Sequence, residues 1–146
     1  MPTGGGTPAE LARGTSFTPV VSPDGKQIAY GKTEGQGAST RAKIVVQRLE
    51  DGAIEQQMVM IAPVDDWHAL GWTPDGKALS FVHNTSGSTQ NVYMVSLSGG
   101  APVSLTHFAS EPVSVPAYAW SKDGKKLALT RARYNDTDVV LFSGFR

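Results

Sequence analysis

The chain contains no cysteine, which excludes disulfides, thiolate nucleophiles and cysteine-ligated zinc or iron–sulfur centres while leaving the compartment open. Net charge is missing too, since 13 lysines and arginines balance 13 aspartates and glutamates. Without a basic field, nothing holds a nucleic-acid backbone or an anionic membrane surface at long range, so neither partner is expected. No apolar run approaches the roughly 18 to 20 residues a membrane helix needs, and the N-terminus lacks the basic-then-apolar pattern of a signal peptide. A Gly-x-Ser-x-Gly elbow and an oxyanion loop are absent as well. The serines therefore read as turn residues, and His68, His83 and His107 as loop or strand-end residues rather than bases. What is present is punctuation: 16 glycines and 9 prolines separate short runs of valine, isoleucine, leucine and aromatic residues. Many short strands joined by tight turns leave this trace, so the fold class is all-β.

The punctuation repeats. Ser22-Pro23-Asp24-Gly25-Lys26, Thr73-Pro74-Asp75-Gly76-Lys77 and Ser121-Lys122-Asp123-Gly124-Lys125 align without a gap at a spacing of about fifty residues. In each, the aspartate can accept bonds from backbone amides ahead of it and the glycine can take positive φ, so Asp24 and Gly25, Asp75 and Gly76, and Asp123 and Gly124 are the turn-forming pairs. Apolar residues then alternate as a half-buried strand requires: Ile28 and Tyr30, Leu79 and Phe81, Leu127 and Leu129. Short first strands precede the turns at 18–21, 69–72 and 117–120, and third strands follow at 43–49, 91–97 and 138–142. Fourth strands occupy 55–61 and 102–106. Four antiparallel strands make a propeller blade, giving blade one at 17–61, blade two at 66–106 and blade three at 115–143.

Blade three has no fourth strand after Phe142, and an open sheet edge is an aggregation liability. The segment 7–12, within Gly5-Gly6-Thr7-Pro8-Ala9-Glu10-Leu11-Ala12, matches Gly99-Gly100-Ala101-Pro102-Val103-Ser104-Leu105-Thr106. It reads as the closing strand of a neighbouring blade. Closed propellers have about four to eight blades, and identical three-blade chains reach that range only as six. The expectation is a homodimer closing a six-bladed ring, with Pro8 and Leu11 of one copy beside Val139 and Leu141 of the other. The competing reading is a piece of a longer propeller.

The Ser/Thr-Pro-Asp-Gly-Lys turns, the strands behind them and the Gly-Gly-x-Pro-x-x-Leu segment resemble the WD-like Pro-Asp-Gly repeats of TolB-like β-propellers, over nearly the whole chain. Similar repeats occur in the propellers of prolyl oligopeptidases and of some bacterial membrane kinases. The chain departs from the pattern at Lys122, which replaces proline, and at Val21, which replaces the tryptophan of Trp72 and Trp120. The resemblance implies a six-bladed architecture, a bacterial source and an extracytoplasmic, periplasmic location.

Function has to come from a site, since propellers host many activities. Polar stretches at 31–42, 83–90 and 131–137 read as long loops on one end of the blades, opposite the Asp-Gly turns, and present a binding face. Asp65, Asp66, Trp67 and His68 enter the first strand of blade two at that end and are the candidate ligand-binding group. Phe17 and Pro116 take the place of His68 in the other blades, so no metal and no cofactor is expected. Trp72, Trp120, Tyr93 and Tyr118 read as core. The expectation is a self-associating binding module that is not an enzyme and offers its loops to another protein. The alternatives are the substrate-gating propeller of an oligopeptidase-like hydrolase, or a channel that binds a sugar or cation.

Overall fold

A computed structural model describes residues 9–35, 40–59, 67–86, 88–109 and 112–145. The described residues form eleven strands in three antiparallel sheets. Blade one holds β1 (Ser16–Val21), β2 (Gln27–Glu34), β3 (Arg41–Arg48) and β4 (Ile54–Val59); blade two holds β5 (Trp67–Trp72), β6 (Ala78–Ser86), β7 (Thr89–Ser96) and β8 (Val103–Ser104). Blade three has β9 (Ser114–Trp120), β10 (Lys126–Arg133) and β11 (Asp136–Ser143), leaving β11 as an edge. Within each sheet the strands follow in sequence order, and β1, β5 and β9 lie next to one another as the innermost strands.

One turn is built three times. Ser22 donates its hydroxyl to Asp24 Oδ1 (2.6 Å), the same carboxylate oxygen accepts from the Lys26 amide (3.0 Å), and Gln27 N donates back to Ser22 Oγ (2.9 Å). Thr73 and Asp75, and Ser121 and Asp123, repeat these bonds. Gly25, Gly76 and Gly124 sit at φ of 73°, 69° and 70°, a region that costs an L side chain about 1 to 2 kcal/mol. A Cβ on Gly76 would lie 3.9 Å from Pro23, and one on Gly124 3.8 Å from Pro74, so each turn proline abuts the turn of the following blade. Lys122 replaces proline in the one blade that no described blade follows.

Each blade has two apolar faces, assigned by the two-residue period of its strands. Ala29, Ile44 and Val46 of blade one meet Trp72, Leu79, Phe81 and Val95 of blade two. Val82 and Val92, on the other side of blade two, meet Leu127, Leu129, Val140 and Phe142 of blade three. Polar latches sit inside these apolar contacts. The Trp72 indole donates to the Val20 carbonyl (3.1 Å). Ser80, fully buried, accepts from both the Tyr118 hydroxyl and the Trp120 indole (3.0 Å each). Burial pushes the Tyr118 phenol far above its ordinary value, which keeps it protonated as a donor. Buried Asn91 accepts from Thr106 Oγ1 and Phe108 N (2.8 Å each), tying the strand connection after β8 to β7.

One expectation changes. The polar stretches expected as loops carry strand at 31–34 and 41–42, 83–86 and 89–90, and 131–133 and 136–137, where cross-strand charge pairs let polar residues continue the ladders: Lys43 with Glu34, Arg131 with Asp138, and Arg133 with Asp136. What remains between β10 and β11 is Tyr134 and Asn135. The described part of the proposed closing segment, 9–12, forms no strand within this chain. A lone chain brings no open sheet edge to it, and it lies instead against blade one, where the Leu11 carbonyl accepts from Gln47 Nε2 (3.3 Å).

Ser80→Ala leaves two donors without their acceptor and is expected to destabilise the chain by about 1 to 3 kcal/mol, read as a lower Tm. The turn carboxylates add an acid dependence. Asp24, Asp75 and Asp123 are held below the ordinary 3.8, first by the serine or threonine hydroxyl and then by the lysine amide. Their contribution is complete above 3.8 and is lost as pH falls through the lowered values. Tm is expected to drop on acidification through that window, and Asp75→Ala to shrink the drop while lowering Tm at neutral pH.

Candidate functional site

The innermost strands are also sheet edges, so their outer backbone groups are not committed to a ladder. Both β1 and β5 break register at the same place. Pairing with the second strand skips from Phe17 to Val20 in blade one and from His68 to Gly71 in blade two. Thr18 and Ala69 occupy equivalent positions in these bulges and sit in the left-handed region, at φ of 47° and 52°. For Thr18, with its branched Cβ, this is a true outlier, and its hydroxyl is buried without a hydrogen-bond partner among the described residues. Bulges and strained backbone of this kind are over-represented beside functional sites.

Trp67 and His68 form the first two residues of β5, directly before the bulge, with Trp67 opposite His83 and His68 opposite Val82 in the ladder. Asp65 and Asp66 lie outside the described residues. Trp67 and His68 thus lie at the end of the blades that carries the β2–β3, β6–β7 and β10–β11 hairpins, opposite the three Asp-Gly turns. A groove of about 420 Å³ continues from there between β5 and β9, walled by Ala69, Leu70, Gly71, Pro116, Ala117 and Tyr118. Its volume falls in the range of small-ligand clefts. Gly71 keeps this wall low, because a Cβ there would come 3.1 Å from the Tyr118 hydroxyl.

The charges at the hairpin end are tied up locally. Asp138 accepts from Arg131 Nε (3.0 Å), and the same guanidinium lies 5.6 Å from the centre of the Phe108 ring. The Arg131 bond holds the Asp138 carboxyl below its ordinary value. His83 packs edge-on against Tyr93. Among the described residues no group of three or more His, Asp or Glu side chains is placed to hold a metal ion.

The ring-closure residues divide. Pro8 lies outside the described residues, and Leu11 lines a cavity of about 220 Å³ on blade one with Phe17, Pro19, Ile28 and Tyr30. Val139 and Leu141 lie on the far face of blade three, 79% and 61% exposed. Sequence reasoning missed both bulges and the acceptor role of Ser80. Neither Thr18 nor Ala69 is a residue type that signals positive φ.

No protein-family model matches the chain. A relative, the uncharacterized peptidase YuxL of Bacillus subtilis (strain 168), is 34% identical over 59 residues, which is 40% of this chain and 8% of that protein. Among solved structures, TolB from Acinetobacter baumannii superposes with a TM-score of 0.63 at 25% identity, covering 86% of this chain and 29% of that one. A puromycin-hydrolyzing peptidase of Mycobacterium tuberculosis gives 0.68 at 23%, covering 92% and 22%. The chain therefore spans less than a third of each of these proteins.

These likenesses correct the expectation that the chain is not an enzyme, pointing to a peptidase-related protein of which the propeller part alone matches. The matched relative is named a peptidase, and solved peptidases share the fold across most of the chain. The sequence argument failed because it equated the lack of a nucleophile elbow with the lack of an enzyme, whereas the shared part is the propeller alone. In strands, turns and structural neighbours, the chain is a three-blade segment with the fold of the TolB-like β-propellers.

Proposed function

We propose that the chain is the propeller part of a peptidase-related protein and that its innermost strands receive peptide, gating its passage toward a catalytic centre. The observation that carries this reading is the groove between β5 and β9, whose walls are strand edges. An extended peptide is the ligand whose own N–H and C=O groups match a strand edge, with affinity from the backbone and selectivity from side-chain pockets. The register break at Ala69–Leu70, both of which line the groove, releases further backbone groups from the ladder. The peptidase relative supplies the substrate class. Trp67 and His68 directly precede the groove residue Ala69 in the chain, and the adjacent carboxylates of Asp65 and Asp66 in the sequence would favour a peptide with a free amino terminus. The likeness to TolB agrees with an extracytoplasmic location.

A panel of short peptides, with glycans and divalent cations alongside, tests this by thermal unfolding. A ligand that binds only the folded state at a hundredfold excess over its Kd adds about 2.7 kcal/mol, which for a chain of this length raises Tm by roughly 5 to 10 °C. Peptides are expected to produce such a rise, and Asp65→Asn with Asp66→Asn to reduce it for those with a free amino terminus. A shift from glycans or cations but from no peptide would contradict the proposal.

A further inference from the structure

Between the Asp-Gly turns of blades two and three lies a second cavity, of about 490 Å³. It adjoins the groove between β5 and β9, because Pro74, Trp120 and Lys122 line both spaces. Its apolar lining is Met94, Leu105, Trp120 and Phe145. The Trp120 ring is fixed in place, with its indole N–H committed to Ser80 (3.0 Å) and the Phe145 ring packed edge-on, 5.1 Å between centres. A volume of this size, an apolar lining and a few polar groups at the rim are the marks of a small-ligand cleft.

The corresponding place between blades one and two is bridged. Gln56 donates to the Leu97 carbonyl (2.7 Å), and Leu97 packs against the core shared by those blades. Ladder register puts Val103 of blade two where Gln56 stands in blade one, since Met94 and Val46 hold one position, opposite Ser80 and Ala29. Gly144 stands where Leu97 does, each amide donating to the carbonyl of its turn lysine, Lys125 or Lys77. Valine has no donor and glycine no side chain, so neither half of the bridge is repeated.

Charge distinguishes this junction as well. Lys122 takes the place that proline holds in the other two turns. Its ammonium has no hydrogen bond or ion pair among the described residues. The two carboxylates at the same rim are occupied, for Asp75 and Asp123 each accept a hydroxyl and a backbone amide within their own turns. Those bonds come first in holding both carboxyls below their ordinary value, and the lysine charges that add to them are Lys77 and Lys125. Lys122 is not among them. It stands as a cation, where groove and cavity meet, that answers to no carboxylate.

We propose that Lys122 and this cavity receive the carboxyl end of a peptide, an assignment that rests on the groove between β5 and β9 being a peptide site. The terminal carboxylate meets the Lys122 ammonium, and a large apolar last side chain enters among Met94, Leu105, Trp120 and Phe145. A peptide so held runs parallel to β5 and β9, both of which end at the Asp-Gly turns. Methionine adapts to more than one shape, so the selection is for apolar bulk rather than for one side chain.

Short alanine peptides ending in phenylalanine, leucine or glycine, each as the free acid and as the amide, test the assignment by titration calorimetry. The amide is expected to bind about tenfold more weakly than the acid, as the loss of one charge-assisted bond implies. Ending in glycine is expected to weaken binding about thirtyfold against phenylalanine or leucine. Lys122→Pro restores the residue of the other two turns and so keeps the fold. It should erase the difference between acid and amide while preserving that between phenylalanine and glycine. Lys122→Gln, which leaves the backbone amide in place, should do the same. Acid and amide, or phenylalanine and glycine, bound equally by the wild-type chain would overturn the proposal and leave the peptide groove standing. So would a preference for the acid that survives both substitutions. No binding by any of these peptides would overturn both.

Discussion

A four-stranded blade cannot cover its own faces. Its strands alternate, so each sheet turns apolar side chains to both sides, and only a neighbouring blade on each side removes them from water. Most of what distinguishes one blade from another here follows from who its neighbour is. Trp72 and Trp120 reach back to bond the preceding described blade, and Val21 holds the equivalent position in blade one. Pro23 and Pro74 lie against the turn glycines of the following blade, and Lys122 holds that position in blade three.

The repeat was legible because its chemistry is local. A hydroxyl residue, an aspartate and a glycine within four positions form a closed set of bonds that needs nothing from the rest of the chain, so three copies at even spacing announce three hairpins. The alternation behind each turn was legible for the same reason. What escaped notice depends on distance. Ser80 looks like an ordinary strand residue until Tyr118 and Trp120 arrive from 38 and 40 residues away. The extended strands at 31–34 and 131–133 look like loops until Glu34 finds Lys43 and Arg131 finds Asp138. The bulges at Thr18 and Ala69 have no signature at all, since neither residue favours positive φ.

The sequence drew attention to residues 65–68 by their charge and aromatic content, and among the described residues Trp67 and His68 open β5, ahead of the groove residues Ala69 to Gly71. It gave no sign of the groove itself, which exists only because two innermost strands from different blades run side by side. The link to peptidases was missed because catalytic residues were sought within the propeller, which is the part that the chain shares with them. A strand edge can receive a peptide without any residue that would be recognised as catalytic, and the peptidase relative fits that division of labour.

The central claim is that a blade is held by the neighbours that cover its faces. Amide hydrogen exchange tests it directly. The account predicts that β6 and β7, covered on both sides by blades one and three, keep their protection longest, while β11, where Val139 and Leu141 are exposed, loses it first. Protection of β11 equal to that of β6 and β7 would contradict the claim.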